Sequence, residues 1–204
     1  MLIHTFLPVP DMNNKIANTQ YPVSDTVRNR WSPRSFSNDT ISQEVLNTIF
    51  EAAGWAPSAN NLQPWAYLYT TKADIQAFEK FKNCLVPGNQ IWAQHADVLV
   101  ISCAITAYGP EQTPNAYAWY DVGAANTTLI MEAHQNNIYG HIMGGFDRAK
   151  TAETFAFPEY VEPVAFIALG YLGEASQLEE PFYTREVTPR SRKTLSEYVF
   201  KNEF

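Results

Sequence analysis

The 204-residue chain is 46% hydrophobic and 14% aromatic, enough to pack a sizeable core as one domain over 1–204. Its net charge of −7 disfavours a nucleic-acid partner, which needs a basic excess. Two cysteines, Cys84 and Cys103, make no disulfide framework, and the longest apolar run, Val98–Ile105, is too short to span a bilayer. A cytoplasmic protein without a membrane partner is therefore expected.

Residues 1–18 read as an irregular N-terminal arm, because Pro8, Pro10, Asn13 and Asn14 interrupt any regular element. The arm has no basic n-region and makes a poor signal peptide. A helix is expected over Pro22–Asn29. Then Arg30-Trp31-Ser32-Pro33-Arg34-Ser35-Phe36 sets two guanidiniums four residues apart with a hydroxyl between them. Planar guanidinium forks in this order can converge on one phosphate, although alone such a string is more often solvated.

The spacing of Val45, Leu46, Ile49, Phe50 and Ala53 predicts the next helix. Thr40 and Gln43 read as its capping box and Pro57 as its stop. Beyond Pro57, the side chains of Ser58, Asn60, Asn61 and Gln63 donate and accept hydrogen bonds without charge. They suit a planar polar ring edge better than nucleophilic or acid–base work.

A strand is expected over Ala66–Thr71, a helix over Asp74–Lys82, a turn at Val86–Asn89 and a short helix over Gln90–Gln94. Asp97–Ala104 is apolar on both faces and reads as a central strand. A Gly- and Pro-containing loop over Thr106–Asn115 leads to the longest helix, Ala116–Gln135. Ile138–Met143 reads as a strand ending in Gly144-Gly145-Phe146-Asp147. A helix over Arg148–Phe155 and an internal strand over Val164–Leu172 follow. Residues 173–204 form a C-terminal extension with little pattern, carrying Pro189-Arg190-Ser191-Arg192.

Basic residues are unevenly spread. None lies between Lys82 and Arg148, whereas Arg28, Arg30 and Arg34 bunch early and Arg185, Arg190, Arg192 and Lys193 bunch late. Such clustering permits an anionic small ligand. His4, His95, His134 and His141 form no recognisable dyad, and no metal-ligand cluster is evident.

The run Ala56-Pro57-Ser58, Asn61, Gln63-Pro64-Trp65 resembles the flavin-dependent nitroreductase family. The R-x-S-x-R-x-F segment, the Gly-Gly-Phe-Asp segment and the closing basic pair lie in the family's order. Together they cover roughly Arg30 to Arg192. The resemblance implies an α+β fold with a mostly antiparallel central sheet surrounded by helices. It implies an intertwined homodimer with two FMN molecules at the interface. Arg30, Ser32, Arg34, Arg190 and Arg192 would then hold the flavin phosphate and ribityl chain. Trp31 replaces the family's frequent basic or polar residue, so only its backbone is expected to contribute. Pro57, Ser58, Asn61 and Gln63 would reach the flavin held mainly by the other subunit. Asn89, Gly144 and Gly145 would meet the ring, and Trp119 and Tyr120 would line the substrate pocket. The implied activity is FMN-dependent, ping-pong oxidoreduction. NAD(P)H is the donor and a nitroaromatic, a quinone or a related conjugated molecule the acceptor. The flavin carries the chemistry, so no catalytic side chain is expected. A non-catalytic flavin carrier, a different flavin redox reaction and a non-flavin interaction protein are the alternatives.

Overall fold

A computed structural model describes residues 13–204; most of the expected N-terminal arm, with His4, lies outside them. In chain order the helices are α1 (Asp25–Asn29), α2 (Gln43–Gly54), α3 (Ile75–Lys82), α4 (Pro87–Ala93), α5 (Ala118–Gln135), α6 (Arg148–Thr154) and α7 (Phe182–Val187). The strands are β1 (Trp65–Thr71), β2 (Val98–Ile105), the short pair β3 (Ala107–Tyr108) and β4 (Thr113–Pro114), β5 (Tyr139–Met143) and β6 (Val161–Gly170).

Four strands form one antiparallel sheet in the order β1-β2-β6-β5. The two central strands are the two nearly continuous apolar runs, as burial on both faces requires. Side chains alternate across the sheet. Val98, Val100, Ile167 and Leu169 point to the layer shared with Leu46 and Ile49 of α2 and Leu129 of α5. Leu99, Ile101, Phe166 and Ala168 point to the opposite layer, where Phe81 of α3, Trp92 of α4 and Phe36 close the core. The fold is α+β, with helices on both faces of an antiparallel sheet.

Local chemistry moves several boundaries from their expected places. Ser42, not Thr40, caps α2, its Oγ accepting from Val45 N at 3.3 Å. Just before it, the Ile41 N–H is spent on the buried Asp97 carboxylate at 2.7 Å. Where a turn was expected at Val86–Asn89, α4 begins with Pro87 in its first turn. Proline suits that position because the N–H it lacks would have no helical partner. The last strand starts at Val161, three residues early. Its Pro163 is tolerated because the register with β2 shifts between Ser102 and Cys103. The loop over Thr106–Asn115 contains the β3–β4 pair, and the extension contains α7. Among the described residues, no helix is long and apolar enough to cross a membrane.

Candidate functional site

The two basic segments meet. α1 stops at Arg30, whose extended backbone (φ −61°, ψ 132°) carries the chain away toward Phe36. Arg190 then ties the distant tail to it, donating from Nη1 to Arg30 O and from Nη2 to Arg28 O, both at 2.6 Å. Glu186 of α7 is 1% exposed and makes a second tie. Its carboxylate accepts from Arg34 N at 2.9 Å and Ser35 N at 3.0 Å. Burial pushes the Glu186 carboxyl above the usual carboxylate range, against the opposing pull of those N–H groups, Arg34 and Lys15.

Between these segments lies a cavity of about 360 Å³. Arg30, Trp31 and Ser32 line one side, Arg185, Pro189, Arg190 and Arg192 another, and Lys15 completes the wall. Among the described residues, Lys82–Glu79 is the one ion pair within 4.0 Å, so no cation around the cavity has a carboxylate that close. Burial lowers the guanidinium pKa values of Arg30 and Arg190, and Arg192 beside them lowers both further. Arg190 Nε is buried and without a partner among the described residues. Such a concentration of donors in a chain of net charge −7 is chemically suited to an anion.

The Trp31 ring is 4% exposed and packs edge-on against Tyr139, so its backbone is what remains for a ligand. Arg34 does not line the cavity. Its guanidinium lies over the Trp92 ring, 5.8 Å from the centroid. Lys15, Arg185 and Glu186 carried no site expectation. Only the late bunching of basic residues hinted at Arg185, and no local pattern marks Lys15 or Glu186.

A second group forms where the Gly-Gly segment meets α4. Asn89 Nδ2 donates to Gly145 O at 3.0 Å, and Val86 N donates to the same oxygen at 3.1 Å. A Cβ on Gly145 would sit 2.7 Å from Asn89 Nδ2, whereas one on Gly144 would meet nothing within 4 Å. Glycine therefore lets this backbone close against Asn89. Nearby, His141 Nδ1–H donates to Pro33 O at 2.8 Å and its ring lies 4.5 Å from Trp92. Burial lowers the His141 pKa to about 4.

The third group is the Pro57–Gln63 loop. Asn60, Asn61 and Gln63 adopt φ of 51°, 56° and 48°. Three left-handed non-glycine residues in four positions cost about 1 kcal/mol or more each and persist only when the surroundings impose them. Ser58 Oγ accepts from Gln63 N at 3.1 Å, and the buried Asp121 of α5 accepts from Ala59 N at 3.1 Å. Asn61 and Gln63 line an open cavity of about 830 Å³ with Phe50, Glu51 and Trp55. Pro57 is exposed and Ser58 half-buried. Trp119 is held in place: its Nε1 donates to Glu162 at 3.0 Å and Arg148 stacks over its ring at 4.8 Å. Tyr120 is 78% exposed. Within one chain, the Asn61–Gln63 cavity and the arginine-lined cavity are thus different places.

The fold is an antiparallel α+β sheet whose early and late basic segments meet at a cationic cavity, a nitroreductase-like architecture. Residues 27–171 match the family model described as "Nitroreductase family", and the chain belongs to that family. A crystal structure described as an oxidoreductase containing FMN superposes with a TM-score of 0.88 at 35% identity, over 96% of this chain and 98% of its own. A 15.4 kDa protein from the ask 5′ region of Mycolicibacterium smegmatis is 34% identical over 125 residues, 61% of this chain and 82% of its own. A protein of Xanthomonas oryzae pv. oryzae, provisionally named NADH dehydrogenase/NAD(P)H nitroreductase, is 29% identical over 155 residues, 67% of this chain and 78% of its own.

Proposed function

We propose that this protein is an FMN-dependent oxidoreductase that uses NAD(P)H to reduce nitroaromatic, quinone or related conjugated acceptors. It acts as a homodimer whose subunits share each flavin. The observation that carries the reading is the cavity lined by Arg30, Arg190 and Arg192, cations with no carboxylate within 4.0 Å among the described residues. Such donors fit a phosphate monoester, and the orphaned Arg190 Nε is a buried donor in want of an acceptor. The FMN of the similar oxidoreductase and the provisional name of the Xanthomonas relative support the same cofactor and donor.

When bound, FMN supplies the redox chemistry, taking electrons from NAD(P)H and passing them to the acceptor in alternate half-reactions. Arg30, Arg192 and Ser32 hold the phosphate, with the Trp31 backbone beside them. Arg34 lends positive charge from its place over Trp92. Asn89, Gly144 and Gly145 offer neutral polar groups to the ring edge. Pro57, Ser58, Asn61 and Gln63 would address the ring from the other subunit, since in their own chain Asn61 and Gln63 line a separate cavity. Trp119 and Tyr120 border the acceptor's entry. Two cysteines, both buried as free thiols, accord with a cytoplasmic setting.

The purified protein is expected to be yellow, to bleach on anaerobic addition of NADH or NADPH, and to give parallel double-reciprocal lines at several acceptor concentrations. Reduction by dithionite but not by NAD(P)H would overturn the reductase reading in favour of a flavin carrier or a different electron donor. A colourless protein that binds no added FMN would overturn the flavin itself.

A further inference from the structure

Lys15 precedes the segment that matches the family model, and nothing in the proposed reaction calls for it. Yet it is 4% exposed, and a lysine is almost never that buried without a partner of opposite charge. Its ammonium has three donors. One goes to Arg185 O at 3.1 Å and one to Thr188 O at 2.5 Å. The third has no partner among the described residues. The ammonium also lies over the Trp31 ring, 4.8 Å from its centroid, which fixes its direction. Lys15 lines the same cavity of about 360 Å³ as Arg30, Arg190 and Arg192.

Charges of both signs surround this ammonium, Glu186 on one side and Arg190 and Arg34 on the other. Burial lowers its pKa, Arg190 and Arg34 lower it further, and Glu186 alone opposes them. Glu186 already receives the Arg34 and Ser35 N–H groups and lies beyond ion-pair distance of Lys15. A buried ammonium that lines a cavity, with no carboxylate within 4.0 Å and one donor unspent among the described residues, calls for an anion in that cavity. Its two bonds to carbonyls around the end of α7 also place the chain leading to Arg190 and Arg192.

We propose that Lys15 is a ligand of the anion in this cavity, a phosphate monoester, so that a residue N-terminal to the family segment completes the cationic wall. The inference rests on the proposed function, in which that monoester belongs to FMN. A bare ribityl chain offers Lys15 no negative charge, so the contribution is specific to the phosphorylated flavin.

The test compares wild type, Lys15→Met, Lys15→Gln and Lys15→Arg as flavin-free full-length proteins at fixed salt, titrated with FMN and with riboflavin. Lys15→Met should weaken FMN binding by about tenfold or more, the size of one lost charge-assisted hydrogen bond, and leave riboflavin affinity little changed. Lys15→Gln keeps a polar NH2 near the two carbonyls without the charge, and it should show the same selective loss even if Lys15→Met does not fold. Lys15→Arg should retain most of the FMN affinity. Equal weakening of both flavins in Lys15→Gln would make Lys15 a structural strap and overturn the proposal, as would unchanged FMN affinity. Inorganic phosphate separates this idea from the cofactor assignment. If wild type binds neither flavin, the proposed function fails. The Lys15 site still stands if phosphate raises the melting temperature of wild type but not of Lys15→Gln, and falls if it raises both equally or neither.

Discussion

Arg190 and Arg192 stand two residues apart and have different duties. Arg190 is a strut, its two Nη groups saturating Arg28 O and Arg30 O. Among the described residues, the Arg192 side chain bonds only to the carbonyl of its neighbour Ser191. Arg192→Ala should therefore weaken FMN binding by about tenfold or more while leaving the melting temperature nearly unchanged, as read by flavin titration and calorimetry. Equal affinity in mutant and wild type would remove Arg192 from the phosphate site. Arg190→Ala should lose both affinity and stability. His141 makes a pH prediction. Its folded pKa of about 4 lies below the ordinary value of 6.5 because the ring is buried. Below pH 6.5 the unfolded chain binds a proton that the folded chain refuses, so stability falls as the pH drops from about 6.5 toward 4. The full shift corresponds to about 3 kcal/mol. Urea midpoints at several pH values in that window should show the slope in wild type and lose it in His141→Gln.

At the scale of elements, the site depends on how closely the end of β5 approaches the start of α4. Gly145 and Asn89 make that approach, which periodicity does not report. A methyl group on Gly145 would meet Asn89 Nδ2 at 2.7 Å and Val86 Cγ2 at 3.0 Å, so the first turn of α4 must yield. Gly145→Ala should cost about 1–3 kcal/mol in chemical denaturation and alter the visible circular dichroism of bound flavin. Gly144→Ala, with nothing within 4 Å of the added methyl, is the control for stability and should leave the denaturation midpoint unchanged. Helix α5 contributes to the site in a less visible way. Its buried Asp121 holds Ala59 N at the base of the left-handed loop, and so helps to set where Asn61 and Gln63 point. Asp121 was expected only as part of a helix.

For the whole molecule, the separation of the two cavities is the physical argument for a dimer. The arginine cavity and the Asn61–Gln63 cavity share no lining residue. In the proposed function, a flavin meets both groups by using a second copy of the chain. Light scattering should give a dimer, and Asn61→Ala should perturb the flavin spectrum without shifting the unfolding midpoint. A monomer that retains stoichiometric FMN would refute the shared site. Trp55 borders the second cavity at 81% exposure, so its fluorescence should respond to flavin binding if the cavity is used.

The amino-acid sequence determined the elements whose chemistry is local, and through its motifs the family. Continuous apolar runs specify β2 and β6 because a strand buried on both faces has no polar side to show. Helical spacing located α2 and α5, and the A-P-S-x-x-N-x-Q-P-W order marked a polar loop. Motifs in series brought Arg30 and Arg190 to one expected site, and their hydrogen bond spans 160 residues. What only the tertiary structure decided is direction and distance between segments remote in the chain. It turned Arg34 toward Trp92, buried Lys15 against carbonyls from the α7 end, and anchored Glu186 beneath the first basic segment. Periodicity records which face of an element avoids water. It carries no information about which side chain from a distant segment will fill a given hydrogen bond. That depends on how the layers pack, and here the packing brings residues near both ends of the chain to one cavity.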